Sequence, residues 1–400
     1  MTVFLDLLRR RNPAFLEAVI ALHQRGEIPA AAYALDLDAV RANARAIRHE
    51  ADRHGLAVLA MTKQVGRAPG FLQAVRDGGI DAGVAVDMAD ARRLHAGGLR
   101  IGHLGHLVQV PAAEADAAAA LDPLHWTVFS DEKAAEAAGA SRAAGREQAL
   151  LARIKAAGDR FYPGHEGGFA ADDVLAVAQR LDALDGARFA GITTFPALLF
   201  DHDARAVRPT PNLGTLARAA ERLRGAGFGE LAVNAPGTTS CAVLELLARH
   251  GATHVEPGHG LTGTTPMHVV DDLVEPPAAC YLTEVSHLHD GRAYVFGGGL
   301  YIDPVFPAYP LRAIVAERPG LDDARLLDAT IPPPDAIDYY GQLDPGAGPA
   351  PRTGASVVFG FRIQAFVTRA YVVGIEGAAS VSPRVGGIWT SDGREARWPL

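Results

Sequence analysis

The sequence predicts an α/β fold: a (β/α)8 TIM barrel with a second, β-rich C-terminal domain. Three observations carry this. Between residues 57 and 257, eight short apolar runs alternate with Ala-rich amphipathic segments, the pattern of parallel strands joined by crossover helices. Beyond Thr265, β-branched and aromatic residues dominate without intervening helical segments. The length, 400 residues, exceeds one ordinary core and suits one large domain with a smaller one.

Taken in order, residues 1–36 read as helix followed by a lone strand, AAYALDL, which has the C-terminal sheet as its available partner. Residues 37–264 make the barrel. Its strands are LAVLAM from residue 56, DAGVAV from Asp81, IGHLGHL from Ile101, HWTVFS from His125, ALLARIKA from Ala149, RFAGITTF from Arg188, LAVNAP from Leu231 and ATHVEP from Ala252. Helical stretches between them, such as DMADARRLHAGG and SDEKAAEAAGASRAAG, open on Asp or Ser and close on Gly, as capped helices do. Eight units over ~200 residues fit a compact closed barrel better than a doubly wound sheet. Residues 265–400 form the β-rich domain, with AACYLTEVSH, AYVFGGGLYID and ASVVFGFRIQAFVTRAYVVGI as strand material. The Pro/Gly-rich stretch IPPPDAIDYYGQLDPGAGPAP reads as a long surface loop.

Composition excludes several functional classes. Hydrophobic residues at 48% and charged residues at 21% are globular values. A net charge of −8 without a basic face excludes nucleic acid as the expected partner. The start MTVFLDLLRRRNP has no continuous apolar stretch or cleavage site, and no run approaches the ~20 apolar residues of a membrane span. A cytoplasmic protein is expected. Cys241 and Cys280 form no CxxC and have no His at ligand spacing, so neither structural zinc nor a disulfide is expected.

Among 38 Lys plus Arg only Lys63, Lys133 and Lys155 are lysines. A chain that almost always chooses Arg retains Lys where an amine must lose its proton. Lys133 lies on a polar helix face; Lys63 follows the first strand directly, in AVLAMTKQVG. An amine at a barrel mouth, partly desolvated, becomes nucleophilic. The last strand ends in VEPGHGLTGTTP, where Glu256 precedes Gly258, Gly260 and Gly263, and the seventh ends in NAPGTTS, with Gly237, Thr238, Thr239 and Ser240. Gly/Thr turns after the last two strands form the usual phosphate site of this fold. His106, Lys155 and Arg160, at the ends of the third and fifth strands, are candidates for binding a substrate carboxylate or moving a proton. The plainer readings are a core histidine and surface ion pairs.

These residues resemble the alanine-racemase-like, fold-type III enzymes that use pyridoxal 5'-phosphate (PLP). The resemblance runs through AAYALDLDAVRANARAI, AMTK, VAVDMADARRLHAGGL, GITTFPA and THVEPGHGLTG, and within the family it is closest to the YhfX-like branch, through MTKQ, GHLVQVP, YPGHEGGF, EPGHGLTGTTP, FGGG and GFRIQAFVTR. It implies that Lys63 is the Schiff-base lysine and that Phe195 stacks on the pyridine ring. By the same resemblance Thr238, Thr239, Gly258 and His259 hold the phosphate, with Thr194, Gly237 and Gly260 beside the cofactor, and Glu256 meets the pyridine nitrogen. Alanine racemases place an arginine at that last position. A carboxylate instead stabilises the protonated ring and makes it a stronger electron sink.

The tyrosine that serves alanine racemases as second base, supplied by the partner subunit, is replaced here by Phe296 in VFGGGLY. Tyr301 or Tyr281 is a substitute without a residue-by-residue match, and Arg362 with Tyr301 is placed at a site shared across a homodimer. The leading expectation is an amino-acid racemase or epimerase with no metal. A PLP decarboxylase, a dehydratase or aldolase, a non-catalytic PLP carrier, and a PLP-free barrel acting on a phosphorylated sugar are the alternatives. The metal-dependent dehydratase or aldolase form is disfavoured, because its His-x-Cys pair is absent.

Overall fold

The protein is described here from a computed structural model covering residues 3–303, 309–333 and 335–399. The chain divides into two compact units: one comprises Arg45–Thr62 and Gly79–Gly258, the other Met1–Ala44, Lys63–Gly78 and His259–Leu400.

The first unit is a closed parallel barrel. Its strands are residues 57–61, Ala82–Ala85, Arg100–Leu104, His125–Val128, Gln148–Lys155, Ala187–Thr193, Ala232–Asn234 and His254–Val255, the eight apolar runs of the sequence. Each pairs in parallel with the next. Closure rests on the first strand, which pairs with the second through Ala60 and Met61 and with the eighth through Ala57 and Val58. The amides of Leu59 and Met61 also donate to the carbonyls of Val255 and Pro257 at 2.9 Å. Small inward residues let the strands close: Ala149, Leu151, Ala190 and Ala232 form one apolar cluster, and Leu59, Ala82 and Val84 another. A Cβ on Gly102 would lie 2.4 Å from the Leu59 side chain.

The crossover helices begin where capping chemistry places them. Asp87 accepts from the Asp90 amide at 2.8 Å to open Met88–Ala96, and Ser130 caps Asp131–Ala143. After the sixth strand a short hairpin, Leu198–Asp201 with Ala206–Pro209, interrupts the βα rhythm.

The second unit is built on a nine-stranded sheet. Six antiparallel strands, Ala279–His289, Arg292–Phe296, Tyr340–Asp344, Arg325–Thr330, Arg312–Ala316 and Ser356–Phe359, pair in a ring that closes on itself. The strand Ala32–Asp36 joins this sheet, antiparallel to Ala279–His289 and parallel to Tyr371–Glu376. Two helices, rather than one, precede it: Val3–Arg11 and Pro13–Gln24, with Pro13 opening the second, where a missing amide proton costs nothing. Their apolar faces, including Leu5, Leu8, Leu16 and Ile20, pack on Cys280, Leu282, Val358 and Val373 of the sheet. The expected loop at 331–351, whose Pro334 lies outside the described residues, contains the strand Tyr340–Asp344. The buried, period-two positions of YGQLD, Gly341 and Leu343, win a place in the ring despite the flanking Pro and Gly. Among the described residues no helix is long and apolar enough to cross a membrane.

Candidate active site

The barrel unit concentrates its polar side chains at the C-terminal ends of its strands. Glu256, just past the eighth strand, is buried. Its Oε1 accepts from Asn234 Nδ2 at 2.7 Å and lies 2.5 Å from His103 Nδ1; Oε2 lies 3.2 Å from His106 Nδ1. The far nitrogen of His103, Nε2, meets Thr127 Oγ1 at 2.5 Å, and Asn234 also donates to Thr193 Oγ1 at 3.2 Å. Strands three, four, six, seven and eight thus feed one network, whose members are all buried. Burial alone would push the Glu256 carboxyl up. The two imidazoles, with the hydrogen bonds from His103 and Asn234, outweigh it and hold the pKa at about 2.

Ligand atoms of His103, His106 and Glu256 lie within 4.8 Å of one another, a spacing that a metal ion can bridge. Both ring nitrogens of His103 already face hydrogen-bond partners, however, so in the observed rotamers the three read as a charge-compensated network.

Phe195, half-buried beyond the sixth strand, is bordered by His106 at 5.2 Å between ring centroids, Tyr162 at 5.8 Å and His165 at 6.1 Å. Thr194 is buried beside it and faces Asn212 Nδ2 at 3.5 Å. Past the seventh strand, Thr238 is half-buried and Thr239 Oγ1 donates to the Gly237 carbonyl at 3.2 Å. Ser240 precedes the helix Cys241–Arg249 without capping it through its side chain, which leaves that hydroxyl and the first-turn amides chemically suited to an anion. Gly237 answers to packing: a Cβ there would meet Leu198 backbone atoms at 2.6 Å and 2.8 Å. Gly258 is half-buried at the end of this unit. Arg160 is exposed, and its contacts with Asn212 run through its backbone amide and carbonyl. Lys155 is exposed as well.

In the other unit Lys63 opens the short 3-10 turn Lys63–Val65, half-buried, with Nζ 5.5 Å from the centroid of Phe366 and Arg67 over the same ring. His259 donates through Nε2 to the Ile363 carbonyl at 2.9 Å, while its Nδ1 faces Arg362 Nη2 at 3.2 Å. Desolvation first, and the Arg362 cation second, hold it well below the ordinary histidine value, so it is neutral and both ring nitrogens are engaged. What His259 and the buried Gly260 have left for a ligand is backbone. Arg362 is ion-paired with Asp303, which also accepts from Gln364 at 2.7 Å. Tyr281 is buried and donates to the Phe296 carbonyl at 3.2 Å, which makes it part of the β-domain core. Tyr301 is half-buried, its pKa raised by desolvation and then by Asp303.

Sequence reasoning named Glu256 and His106 but missed His103, Asn234 and Thr127. A polar residue inside an otherwise apolar strand, as in IGHLGHL, HWTVFS and LAVNAP, was the available signal.

Comparison with known proteins agrees with this architecture. Residues 35–266 match the alanine racemase N-terminal domain, and residues 280–385 match the YhfX-like C-terminal domain. The chain is 36% identical over 393 residues, 98% of its length and 99% of the other's, to the uncharacterized protein YhfX of Escherichia coli (strain K12). Among solved structures, D-threonine aldolase from Filomicrobium marinum superposes with a TM-score of 0.66 at 18% identity, covering 92% of this chain and 96% of that one. Alanine racemase of Clostridium difficile 630 in complex with cycloserine gives 0.64 at 15% identity, covering 91% and 99%. D-threo-3-hydroxyaspartate dehydratase from Delftia sp. HT23 gives 0.65 at 19%, covering 93% and 98%. At these identities the likeness is one of fold.

Proposed function

We propose that this chain, which belongs to the family of the alanine racemase N-terminal domain and carries a YhfX-like C-terminal domain, is an amino-acid racemase or epimerase working with PLP bonded to Lys63. The observation that carries the proposal is the ionised, fully enclosed Glu256 at the end of the eighth strand. PLP, when bound, supplies a conjugated ring that withdraws electron density from a substrate Cα–H bond. Glu256, whose carboxylate stays charged far below neutral pH, would hold a proton at the ring nitrogen. Lys63 would provide the amine that holds the cofactor and, as a free amine, would take up the Cα proton on one face. Thr238, Thr239 and Ser240, with the amides opening Cys241–Arg249, would bind the phosphate, and Phe195 would pack on the ring and exclude water from it.

A racemase needs a second proton carrier on the opposite face, and Tyr301, whose raised pKa keeps it protonated at neutral pH, is the candidate. A second reading rests on Phe296: a ring without an ionisable group stands where alanine racemases keep tyrosine, which fits reactions needing one base, such as decarboxylation, dehydration or aldol cleavage. We further propose a homodimer with shared sites, as the resemblance to alanine racemases implies, which light scattering of the loaded protein tests.

The experiment is borohydride reduction of PLP-loaded protein with peptide mass mapping, followed by incubation with single amino acids in deuterated water. A cofactor mass fixed on Lys63 and lost in Lys63→Ala, with Cα exchange and loss of optical purity from either enantiomer, is expected. The Lys63→Ala turnover should fall by a factor of about 1,000 or more. A label on Lys133 or Lys155 overturns the reading; a Lys63 label without Cα exchange leaves a PLP carrier.

A further inference from the structure

The fifth barrel strand alternates its side chains, and Ala149 and Leu151 join the apolar interior of the barrel. Two residues further along the same inward face stands Arg153, which is 1% exposed. Its register partner on the sixth strand is Thr193, whose hydroxyl accepts from Asn234, the residue that donates to Glu256. Phe129 follows the end of the fourth strand, two residues beyond Thr127. The Arg153 guanidinium carbon lies 4.7 Å from the centroid of Phe129 and 5.7 Å from that of Phe161. Nη2 donates to the His165 carbonyl at 2.5 Å. Nε and Nη1 are buried and have no hydrogen-bond partner among the described residues, and no carboxylate there pairs with Arg153.

A guanidinium offers five N–H donors in a planar fork and does not give up its charge. Aromatic faces relieve part of its desolvation, but buried charges are ordinarily completed by a counter-ion. Burial draws even this group down to about 10, with Glu166 acting against the shift. Arg153 therefore stands as a cation held on the inner wall at the strand ends, where this fold builds its active sites, with Nε and Nη1 unengaged and Glu166 acting on it only through space.

Resting on the proposed PLP reading, we infer that Arg153 receives a carboxylate of the amino-acid substrate through these unengaged N–H groups. Arg160, with Lys155 a candidate from the sequence in this stretch, is exposed, and the role falls to Arg153 instead. Two sources share the chemistry: the α-carboxylate that every amino acid carries, and a second carboxylate on an acidic side chain.

The test uses acetate and malonate as probes, titrated into the PLP-loaded protein at constant ionic strength against chloride, with the melting temperature as readout. The cofactor-free protein is titrated in parallel, so Arg153 is read whether or not Lys63 proves to bond PLP. A saturable rise with carboxylate is expected in wild type. Arg153→Lys, which keeps the charge but not the fork, should weaken it by about tenfold, and Arg160→Ala should leave it within about twofold. Displacement of malonate by alanine assigns the α-carboxylate; displacement by aspartate or glutamate alone assigns the side chain. No saturable response beyond chloride in wild type, or a folded Arg153→Lys protein with unchanged malonate affinity, overturns the inference.

Discussion

Two buried charges on the inner wall of the same barrel are treated in opposite ways. Glu256 is surrounded by the imidazoles of His103 and His106 and the amide of Asn234. Arg153 has one carbonyl and two aromatic faces. The difference teaches that the chain surrounds the anion with polar groups of its own, leaving one carboxylate oxygen without a hydrogen bond, and gives the cation far less. It predicts opposite responses to neutralisation. Glu256→Gln leaves two imidazoles facing a lost counter-charge, and breaking such a buried arrangement costs about 3–5 kcal/mol. Arg153→Met, which replaces an uncompensated charge with an apolar chain of similar length, should be neutral or slightly stabilising without carboxylate. Urea unfolding of the two variants and wild type measures this. Equal losses in both would erase the distinction.

Acid sharpens the same contrast in a third region. His125 and His254 meet inside the barrel with ring centroids 5.1 Å apart, and burial first, then neighbouring histidines, lower His125 from 6.5 to about 4 and lower His254 as well. A group depressed in the folded state binds its proton first in the unfolded chain, so stability falls as pH drops from about 6.5 toward 4. For His125 that loss is at most ~3 kcal/mol. The depressed Glu256 works in the same direction but in a lower window, adding its loss only as pH falls below 4.5 toward about 2. Unfolding free energies at several pH values should show His125→Gln flattening the upper window and Glu256→Gln flattening only the lower one. A single window common to both variants would show that the two clusters titrate together.

How much of this was legible depends on whether the information was local. The eight strands stood out because each is an apolar run beside a capped amphipathic helix, and Lys63 stood out through the scarcity of lysine. Tyr340–Asp344 did not, because Pro and Gly on both sides mask a five-residue alternation that only its sheet partners stabilise. His103 was hidden for a different reason. It meets Glu256, 153 residues away, only when the barrel closes. Arg153 was overshadowed by Lys155 and Arg160 in RIKAAGDR, although its place on the face of Ala149 and Leu151 was readable from the alternation. Fold elements are written locally; buried charge balance is a property of closure.

The smallest expected effect probes how far the network around Glu256 extends. Thr127 Oγ1 lies against His103 Nε2, the nitrogen remote from the carboxylate. Thr127→Val keeps the shape and removes the hydrogen-bonding oxygen, so the loss of stability should be about 1 kcal/mol. The more telling readout is nitrogen NMR of His103. With Thr127 present, both imidazole nitrogens have partners and the ring is held with Nδ1 toward Glu256. In the valine variant Nε2 faces an apolar surface, which disfavours a proton there and leaves Nδ1–H, donating to Glu256, as the dominant tautomer. A His103 signal that differs between wild type and Thr127→Val would show that the threonine fixes the ring that faces Glu256. An identical His103 signal in both proteins would confine the network to Glu256, Asn234 and the two imidazoles.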